Sequence, residues 1–151
     1  MNALSLAEVG IMPTVQQVPK PEQIPGTVRV RLTHAALNRR DVWIMKGQYP
    51  NIVTPTILGS DGVGTLLTDT DTLPAGTRVL IYPSKDWGEN EAVQSSDYEI
   101  LGMPSQGTFA EEIVVPASLV YAAPTHLTDP EAAALPLAGL TGWRSAFSRG
   151  E

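Results

Sequence analysis

The chain has 151 residues, of which 42% are hydrophobic and 17% are charged, a balance that suits one domain with its own core. Its net charge of −6 argues against nucleic acid as a partner, because such binding depends on clustered cations that neutralise phosphates. The lack of cysteine excludes disulfides, thiolate nucleophiles and zinc sites that use a cysteine. No apolar run approaches the roughly 18 residues of a membrane-spanning helix, and the first residues do not resemble a signal peptide, so we expect a cytoplasmic protein with no membrane partner.

Short strands dominate the predicted elements. The segment Thr27 to Leu32 alternates polar and apolar residues after the turn signal Pro25-Gly26, which is typical of a half-buried strand. The 13 glycines and 13 prolines are spread along the chain, as expected where turns join many strands. The predicted strands are Leu4 to Ala7, Thr27 to Leu32, Gly64 to Leu67, Arg78 to Tyr82, Thr108 to Val115 and Leu119 to Tyr121.

One short helix and one long loop are predicted in the first two thirds of the chain. Asn38 to Lys46 can form a helix that Gly47 closes as a C-terminal stop. Trp87 to Met103 is polar and lacks periodicity, which predicts a long loop of the kind that is often functional.

The C-terminal segment is predicted to be helical. Thr128-Asp129-Pro130-Glu131 has the pattern of a capping box with proline in the first turn, and it opens a helix from Glu131 to Leu135. Pro136 is expected to end or kink that helix, because proline has no N–H and clashes with the preceding turn. A second helix is predicted from about Ala138 to Ser148.

Four segments carry recognisable motifs: Ala36 to Pro50, Pro55 to Gly64, Gly107 to Glu111 and Leu135 to Trp143. Together with Pro19-Lys20-Pro21 ahead of the first long strand, they are spread over nearly the whole chain. The first resembles the helix after the first long strand in the medium-chain dehydrogenase/reductase family, and the others resemble its patterns P-x-x-x-G-x-[DE]-x-x-G, G-[TS]-[FY]-A-E and L-P-x-x-x-x-T-[AG]-[WY], in the same order. The chain therefore resembles this family, and in particular its zinc-type alcohol dehydrogenase-like and quinone oxidoreductase-like members.

The resemblance implies a mainly β fold with short helices. Residues 1–127 are expected to form a GroES-like, partly open β-barrel, the catalytic domain. Residues 128–151 are expected to be connector helices that lead toward a Rossmann domain missing from the chain. The sequence has no G-x-G-x-x-G motif of the kind that binds dinucleotides. The glycines of Gly59 to Gly64 have a different spacing and precede a strand, so we do not interpret them as that motif.

The resemblance also implies an NAD(P)-dependent oxidoreductase that transfers hydride to or from a small carbonyl, enone or quinone-like molecule. NADP is favoured over NAD by analogy with quinone reductase-like relatives. The partners implied are a small-molecule substrate and a Rossmann domain in cis or in trans, and a homodimer of the complete protein is compatible with the resemblance. The alternative is a non-catalytic binding module or a truncated pseudoenzyme. An apolar seam of Leu140, Trp143 and Phe147 suits either a lost domain or a new partner.

Two departures from the family pattern concern zinc. Zinc-dependent members place a cysteine where Asn38 stands and a histidine where Ser60 stands. Neither asparagine nor serine is a good zinc ligand. We therefore expect no zinc, and hydrogen-bond donors aimed at the substrate oxygen must polarise it instead.

In zinc-free relatives, an asparagine and a tyrosine line the nicotinamide end of the cleft, which assigns catalytic roles to Asn38 and Tyr49. Asn38 also suits a plain helix N-cap, and Tyr49 suits a packing aromatic. Asp41 is a third catalytic candidate, with two alternatives: a first-turn helix charge, or a partner for Arg40 or Arg78.

Three further residues are candidates for cofactor binding by resemblance. Arg39 takes the place of a cation that faces the cofactor pyrophosphate in relatives, and Trp43 lies on the same helix. Thr141 matches a threonine near the nicotinamide ribose or amide. The alternatives are a solvated arginine, a core tryptophan and an ordinary helix residue.

Overall fold

The computed structural model describes residues 1–148. The strands are Asn2–Leu6 (β1), Thr14–Gln17 (β2), Thr27–Ala35 (β3), Thr56–Ile57 (β4), Gly62–Leu66 (β5), Arg78–Ile81 (β6), Ser84–Lys85 (β7), Glu99–Ile100 (β8), Glu112–Pro116 (β9) and Val120–Ala122 (β10). The α-helices are Arg39–Met45 (α1) and Asp129–Trp143 (α2). A 3₁₀ turn spans Ala117–Leu119, and a π-helical turn spans Arg144–Ser148.

Antiparallel pairing organises most of these strands into two sheets. The larger sheet has the order β10-β6-β5-β3-β9, and the smaller has the order β2-β1-β4. A register shift between Leu32 and His34 marks a bulge in β3, which bends that strand. The backbone of Ala3 pairs with Ala110 and so joins the two sheets. The sheets form a curled half-barrel, and the mainly β prediction is confirmed.

The main core lies on one face of the larger sheet. Alternate residues of β3, β6 and β9 point into it, as the period-2 pattern of the sequence predicts. Its buried residues are Val28, Val30, Leu66, Val79, Ile81, Leu101, Ile113, Val115, Leu119 and Val120.

The helix α1 packs on a second, smaller apolar cluster. Ile44 of this helix is fully buried against Leu6, Leu58 and Met103. The helix ends at Gly47, whose φ of +73° is the left-handed conformation that glycine tolerates best. The predicted helix and its stop signal are confirmed.

The C-terminal helix corrects one prediction. Its start is as expected, since the Glu131 carboxylate accepts the backbone N–H of Thr128 at 2.9 Å. Of the two effects expected of Pro136, an end or a kink, the end does not occur, because α2 runs through Pro136 to Trp143. Beside Pro136, the N–H of the next residue, Leu137, donates to the Asp61 carboxylate at 2.9 Å.

The remaining differences concern element boundaries. The predicted separate helix from Ala138 is the second half of α2, followed by the π-helical turn. The strand β9 begins at Glu112 rather than Thr108, because the N–H groups of Thr108 and Phe109 pair with the carbonyls of Gly59 and Leu58. The short strands β2, β4, β7 and β8 were not predicted, and β8 lies inside the predicted long loop.

The helix α2 packs on β3, β5 and β6 of the larger sheet. The division into residues 1–127 and 128–151 stays a prediction, and positions 149–151 lie outside the described residues. Neither helix within residues 1–148 has the length and apolar character needed to cross a membrane.

Candidate active site

Asn38, at the N-terminal end of α1, contacts two buried carboxylates. Its backbone N–H donates to Asp41 Oδ2 at 2.8 Å, and its side-chain Nδ2 donates to Asp61 Oδ1 at 2.8 Å. The same Nδ2 makes a longer contact, 3.4 Å, with the carbonyl of Ala36. Because an ionised carboxylate only accepts hydrogen bonds, Asp61 orients the NH₂ group of the Asn38 amide toward itself.

Asp41 connects the start of α1 to the segment before β5. Its second oxygen, Oδ1, accepts the backbone N–H of Gly59 at 3.1 Å. Burial raises the pKa of Asp41, while the N–H groups of Asn38 and Gly59 and the charge of Arg40 act in the opposite direction. Both carboxylate oxygens of Asp41 therefore accept main-chain N–H groups.

Asp61 is fully buried and was not among the predicted site residues. Its two oxygens accept the Asn38 amide and the backbone N–H of Leu137. Burial raises the pKa of Asp61, and the nearby Asp41 carboxylate raises it further, whereas the two hydrogen bonds lower it. The acidic position of the P-x-x-x-G-x-[DE] pattern was the signal that could have identified it.

Arg40 is a second residue that sequence reasoning did not place in the site. Its side chain is 8% exposed, and Nη1 donates to Ser60 Oγ at 2.9 Å and to the Leu101 carbonyl at 2.7 Å. Its Nη2 donates to the Met103 carbonyl at 3.2 Å. The guanidinium carbon lies 5.1 Å from the centre of the Tyr49 ring, within the range of a cation–π contact. A fixed positive charge thus lies beside Ser60.

Tyr49 is half-buried and lines a cavity of about 760 Å³ together with Arg40, Tyr98 and Met103. It follows the C-terminal end of α1, whereas Asn38 precedes the N-terminal end, so the helix separates them. The structure therefore brings Tyr49 close to Arg40 and places Asn38 with the two aspartates.

The three predicted cofactor residues lie on two different elements. Arg39 and Trp43 are exposed and four residues apart on α1, which places them on the same side of that helix. Thr141 is exposed on α2, and its hydroxyl donates to the carbonyl of Leu137 at 2.9 Å. Thr141 also lines a cavity of about 750 Å³ between α2 and the loop that contains Trp87.

The apolar seam of Leu140, Trp143 and Phe147 is exposed. Trp143 is 64% exposed and Phe147 is 72% exposed, and their ring centres lie 4.4 Å apart. Beside this seam, the Arg144 guanidinium carbon lies 4.3 Å from the ring centre of Trp87. The C-terminal segment of α2 and its π-helical turn are therefore held to the Trp87 loop on one side and exposed on another.

Comparison with known proteins identifies the fold and the family. The sequence pattern of the alcohol dehydrogenase GroES-like domain matches residues 24–125. The chain belongs to this family. The GroES-like domain is 33% identical over 131 residues to a zinc-type alcohol dehydrogenase-like protein of Schizosaccharomyces pombe, a match that covers 84% of this chain and 38% of that protein. It is 31% identical over 145 residues to the zinc-type alcohol dehydrogenase-like protein YogA of Leptosphaeria maculans, with coverage of 87% and 40%.

Solved structures agree with this assignment. A crystal structure of an NAD-dependent alcohol dehydrogenase has a TM-score of 0.90 and 35% identity, and the match covers 99% of this chain and 47% of that one. A cobalt- and zinc-bound thermostable alcohol dehydrogenase of Pyrobaculum aerophilum has a TM-score of 0.84 and 26% identity, with coverage of 98% and 47%. The GroES-like fold prediction is confirmed. The chain spans less than half the length of these relatives.

The residues at the two zinc-ligand positions of the GroES-like domain do not fit a zinc ion. The Asn38 amide presents its NH₂ group to Asp61, and Ser60 Oγ accepts from Arg40 while it donates to the Leu101 carbonyl at 2.8 Å. The Arg40 charge would also repel a cation at Ser60. Across residues 1–148, no group of three or more histidine, aspartate or glutamate side chains is arranged to hold a metal. The names of the two curated relatives say zinc-type.

Proposed function

We propose that this GroES-like domain is the substrate-side half of a zinc-independent, NAD(P)-dependent oxidoreductase. In this proposal, hydride moves to or from a small carbonyl, enone or quinone-like substrate. The observation that carries the proposal is the orientation of the half-buried Asn38 amide by the buried Asp61 carboxylate. By resemblance, Asn38 stands where zinc-dependent members have a zinc ligand. The alcohol dehydrogenase-like relatives supply the oxidoreductase class.

The Asn38 amide polarises the substrate oxygen. One of its hydrogens is held by Asp61 at 2.8 Å, and the other is directed at the Ala36 carbonyl across 3.4 Å. The longer bond is the weaker one, so a substrate oxygen can replace Ala36 as the acceptor at small cost. That new bond strengthens as negative charge develops on the oxygen, which lowers the barrier to hydride transfer.

The other candidates have supporting roles. Asp41 positions Asn38 through the backbone bond at 2.8 Å. Tyr49 lines the neighbouring cavity over Arg40. A nicotinamide cofactor, NADP or NAD, supplies or accepts the hydride when it is bound, mainly by a Rossmann domain in cis or in trans. Arg39, Trp43 and Thr141 are the residues of this chain proposed to contact it, and all three are exposed. A cytoplasmic location and a homodimer of the complete protein stay predictions.

One observation favours a second candidate, a non-catalytic interaction module. Trp143 and Phe147 together present a large exposed aromatic surface on the C-terminal segment. Such a surface suits a protein partner as well as it suits a nucleotide-binding domain.

Turnover by a two-domain chimera separates the two candidates. This chain is joined through its connector to the nucleotide-binding domain of a medium-chain dehydrogenase/reductase, and a panel of aldehydes, enones and quinones is tested with NADPH and NADH. We expect turnover that Asn38→Ala lowers by about 100- to 1000-fold in kcat with KM nearly unchanged. Thr128→Ala, which alters only the cap of α2, should leave kcat unchanged. A chimera that binds the cofactor but reduces none of the panel would favour the interaction module.

A further inference from the structure

The Asp61 carboxylate joins two elements that lie far apart in the sequence. Its Oδ1 accepts the Asn38 side-chain amide at the start of α1, and its Oδ2 accepts the Leu137 backbone N–H in the middle of α2, 76 residues away. The carboxylate is completely buried. We propose that Asp61 is a positioning residue that fixes α2 relative to Asn38. In this proposal, Pro136 frees the backbone N–H of Leu137, which then donates to Asp61. We call this arrangement of Asn38, Asp61 and Leu137 the Asp61 bridge.

Pro136 explains why an N–H in the middle of a helix bonds to a distant side chain. In a regular α-helix, the Leu137 N–H would donate to the carbonyl of Ala133. Proline provides no N–H for the carbonyl of Ala132, and its ring clashes with that carbonyl, which opens the turn. In this proposal, the opened turn leaves the Leu137 N–H accessible to Asp61, to which it donates at 2.9 Å. Pro136 and Asp61 therefore act together: the proline opens the turn, and the aspartate accepts the Leu137 N–H.

The first turns of α2, which precede the Asp61 bridge in the sequence, are held by packing against the larger sheet. Ala132 and Ala133 are 0% and 1% exposed and pack against Val63 of β5. The second half of the helix, from Leu137 onward, has no buried residue. Its direction therefore depends on the turn at Pro136, where the Asp61 bridge holds the helix, and on the contact of Arg144 with the Trp87 loop.

The chemistry of the bridge requires a carboxylate. Both partners of Asp61 are donors: an amide NH₂ group and a backbone N–H. An ionised aspartate presents two acceptor oxygens, whereas asparagine has one acceptor and would face one of the donors with its own NH₂ group. Asp61→Asn keeps the size of the side chain and can satisfy only one side of the bridge.

The consequence for catalysis rests on the proposed function. Thr141 lies one turn beyond Leu137 on α2, and its hydroxyl donates to the Leu137 carbonyl. The same carboxylate thus orients the polarising amide of Asn38 and the segment that carries a proposed cofactor contact. Loss of the bridge should misplace both groups without removing either one.

The bridge can be tested in this chain by amide hydrogen exchange and NMR. In Asp61→Asn, we expect exchange at Leu137 to accelerate by about tenfold, the effect of losing one hydrogen bond. The resonances of Gly139 to Trp143 should shift, while those of Ile113 and Val115 on β9, at the edge of the larger sheet, stay in place. Glu131→Gln, a change in the first turn of α2, is the matched control and should leave Leu137 unaffected. Unchanged exchange and an unchanged chemical shift at Leu137 in Asp61→Asn would overturn the proposal.

A second variant covers the case in which Asp61→Asn does not fold. Pro136→Ala restores the missing N–H, so the helix should close and the Leu137 N–H should return to the Ala133 carbonyl. We expect its amide resonance to lose the downfield shift typical of a bond to a carboxylate, and the Asn38 side-chain signals to move with it. A Leu137 resonance that is the same with and without Pro136 would contradict the role assigned to the proline.

The catalytic consequence is measured separately in the two-domain chimera. Asp61→Asn should lower kcat by about tenfold while KM stays nearly constant, because the reacting groups are present but misplaced. A rise in KM at constant kcat would overturn the positioning role. If Asn38→Ala has no effect on turnover, the proposed function fails, but the exchange experiment at Leu137 still decides whether the bridge exists.

Discussion

The side-chain amide of Asn38 and the carboxylate of Asp61 form a 2.8 Å hydrogen bond in the interior of the domain, although 23 residues separate them in sequence. Two groups donate hydrogen bonds to the Asp61 carboxylate, the Asn38 amide and the Leu137 N–H, and Asn38→Ala removes the first. A hydrogen bond to a buried charged group contributes about 1.5–3 kcal/mol, so we expect a loss of this size in the free energy of unfolding. Urea denaturation at neutral pH measures it.

The matched control for this prediction is Thr128→Ala at the start of α2. Thr128 is a helix N-cap, as Asn38 is, but its hydroxyl contacts the exposed Glu131 rather than a buried carboxylate. Loss of such a cap costs about 1 kcal/mol. Equal losses in the two variants would mean that Asn38 acts only as a cap.

Gly59 is expected to tolerate substitution poorly, because backbone strain and a packing conflict add at this position. Its φ is +92°, and a Cβ there would collide with the ring of Phe109 and lie 2.6 Å from Thr108 Oγ1. Backbone strain of about 1–3 kcal/mol adds to a packing conflict of similar size in Gly59→Ala. Thermal unfolding of Gly59→Ala should therefore show a large decrease in Tm.

Gly76→Ala separates the backbone strain from the packing conflict. The φ of Gly76 is +89°, close to that of Gly59, but a Cβ at Gly76 would meet no atom within 4 Å. Gly76→Ala should show the backbone strain alone and unfold at a higher temperature than Gly59→Ala. If both variants lose the same stability, the close approach of Phe109 and Thr108 has no energetic effect.

Glu112 should make the folded state sensitive to acid. Its side chain lies within 2.8 Å of Lys20 Nζ and 3.2 Å of Arg29 Nη1, and these contacts lower its pKa despite its burial. The unfolded chain therefore binds a proton at Glu112 at a higher pH than the folded chain does. The stability from this group is present above about pH 4.3 and is lost as the pH falls through the lower pKa of the folded state.

Glu112→Gln tests this dependence. The difference in unfolding free energy between the natural chain and the variant should be largest near pH 7 and should shrink below about pH 4. Glu22→Gln, a change at an exposed glutamate, is the control. A difference that stays constant from pH 7 to the acid range would contradict the prediction.

Much of the fold could be predicted because local patterns and tertiary packing agree. The alternation of Thr27 to Leu32 matches the buried face of β3, and the Thr128 to Glu131 pattern matches the start of α2. The hydrogen bond beside Pro136 could not be predicted, since the acceptor of the Leu137 N–H is Asp61, which lies far away in sequence. The motif spacing placed Asn38 at the site, but it could not indicate which groups would occupy its amide hydrogens.

The burial of Arg40 could not be predicted from the sequence either. Arg39 and Arg40 are adjacent and identical in the sequence, yet the first is exposed and the second is buried on the carbonyls of Leu101 and Met103. The buried environment arises from a turn about 60 residues downstream, and no local pattern reports such a long-range contact.

The rate of NADPH oxidation by the two-domain chimera measures whether hydride transfer is independent of zinc. The rate is measured before and after treatment with a strong zinc chelator, and the zinc content of each sample is determined by elemental analysis. Because Asn38 and Ser60 are committed to Asp61 and Arg40, we expect the same rate in both samples and no stoichiometric zinc in this domain. A rate that falls with the chelator and returns when one equivalent of zinc is added would mean that the enzyme depends on zinc.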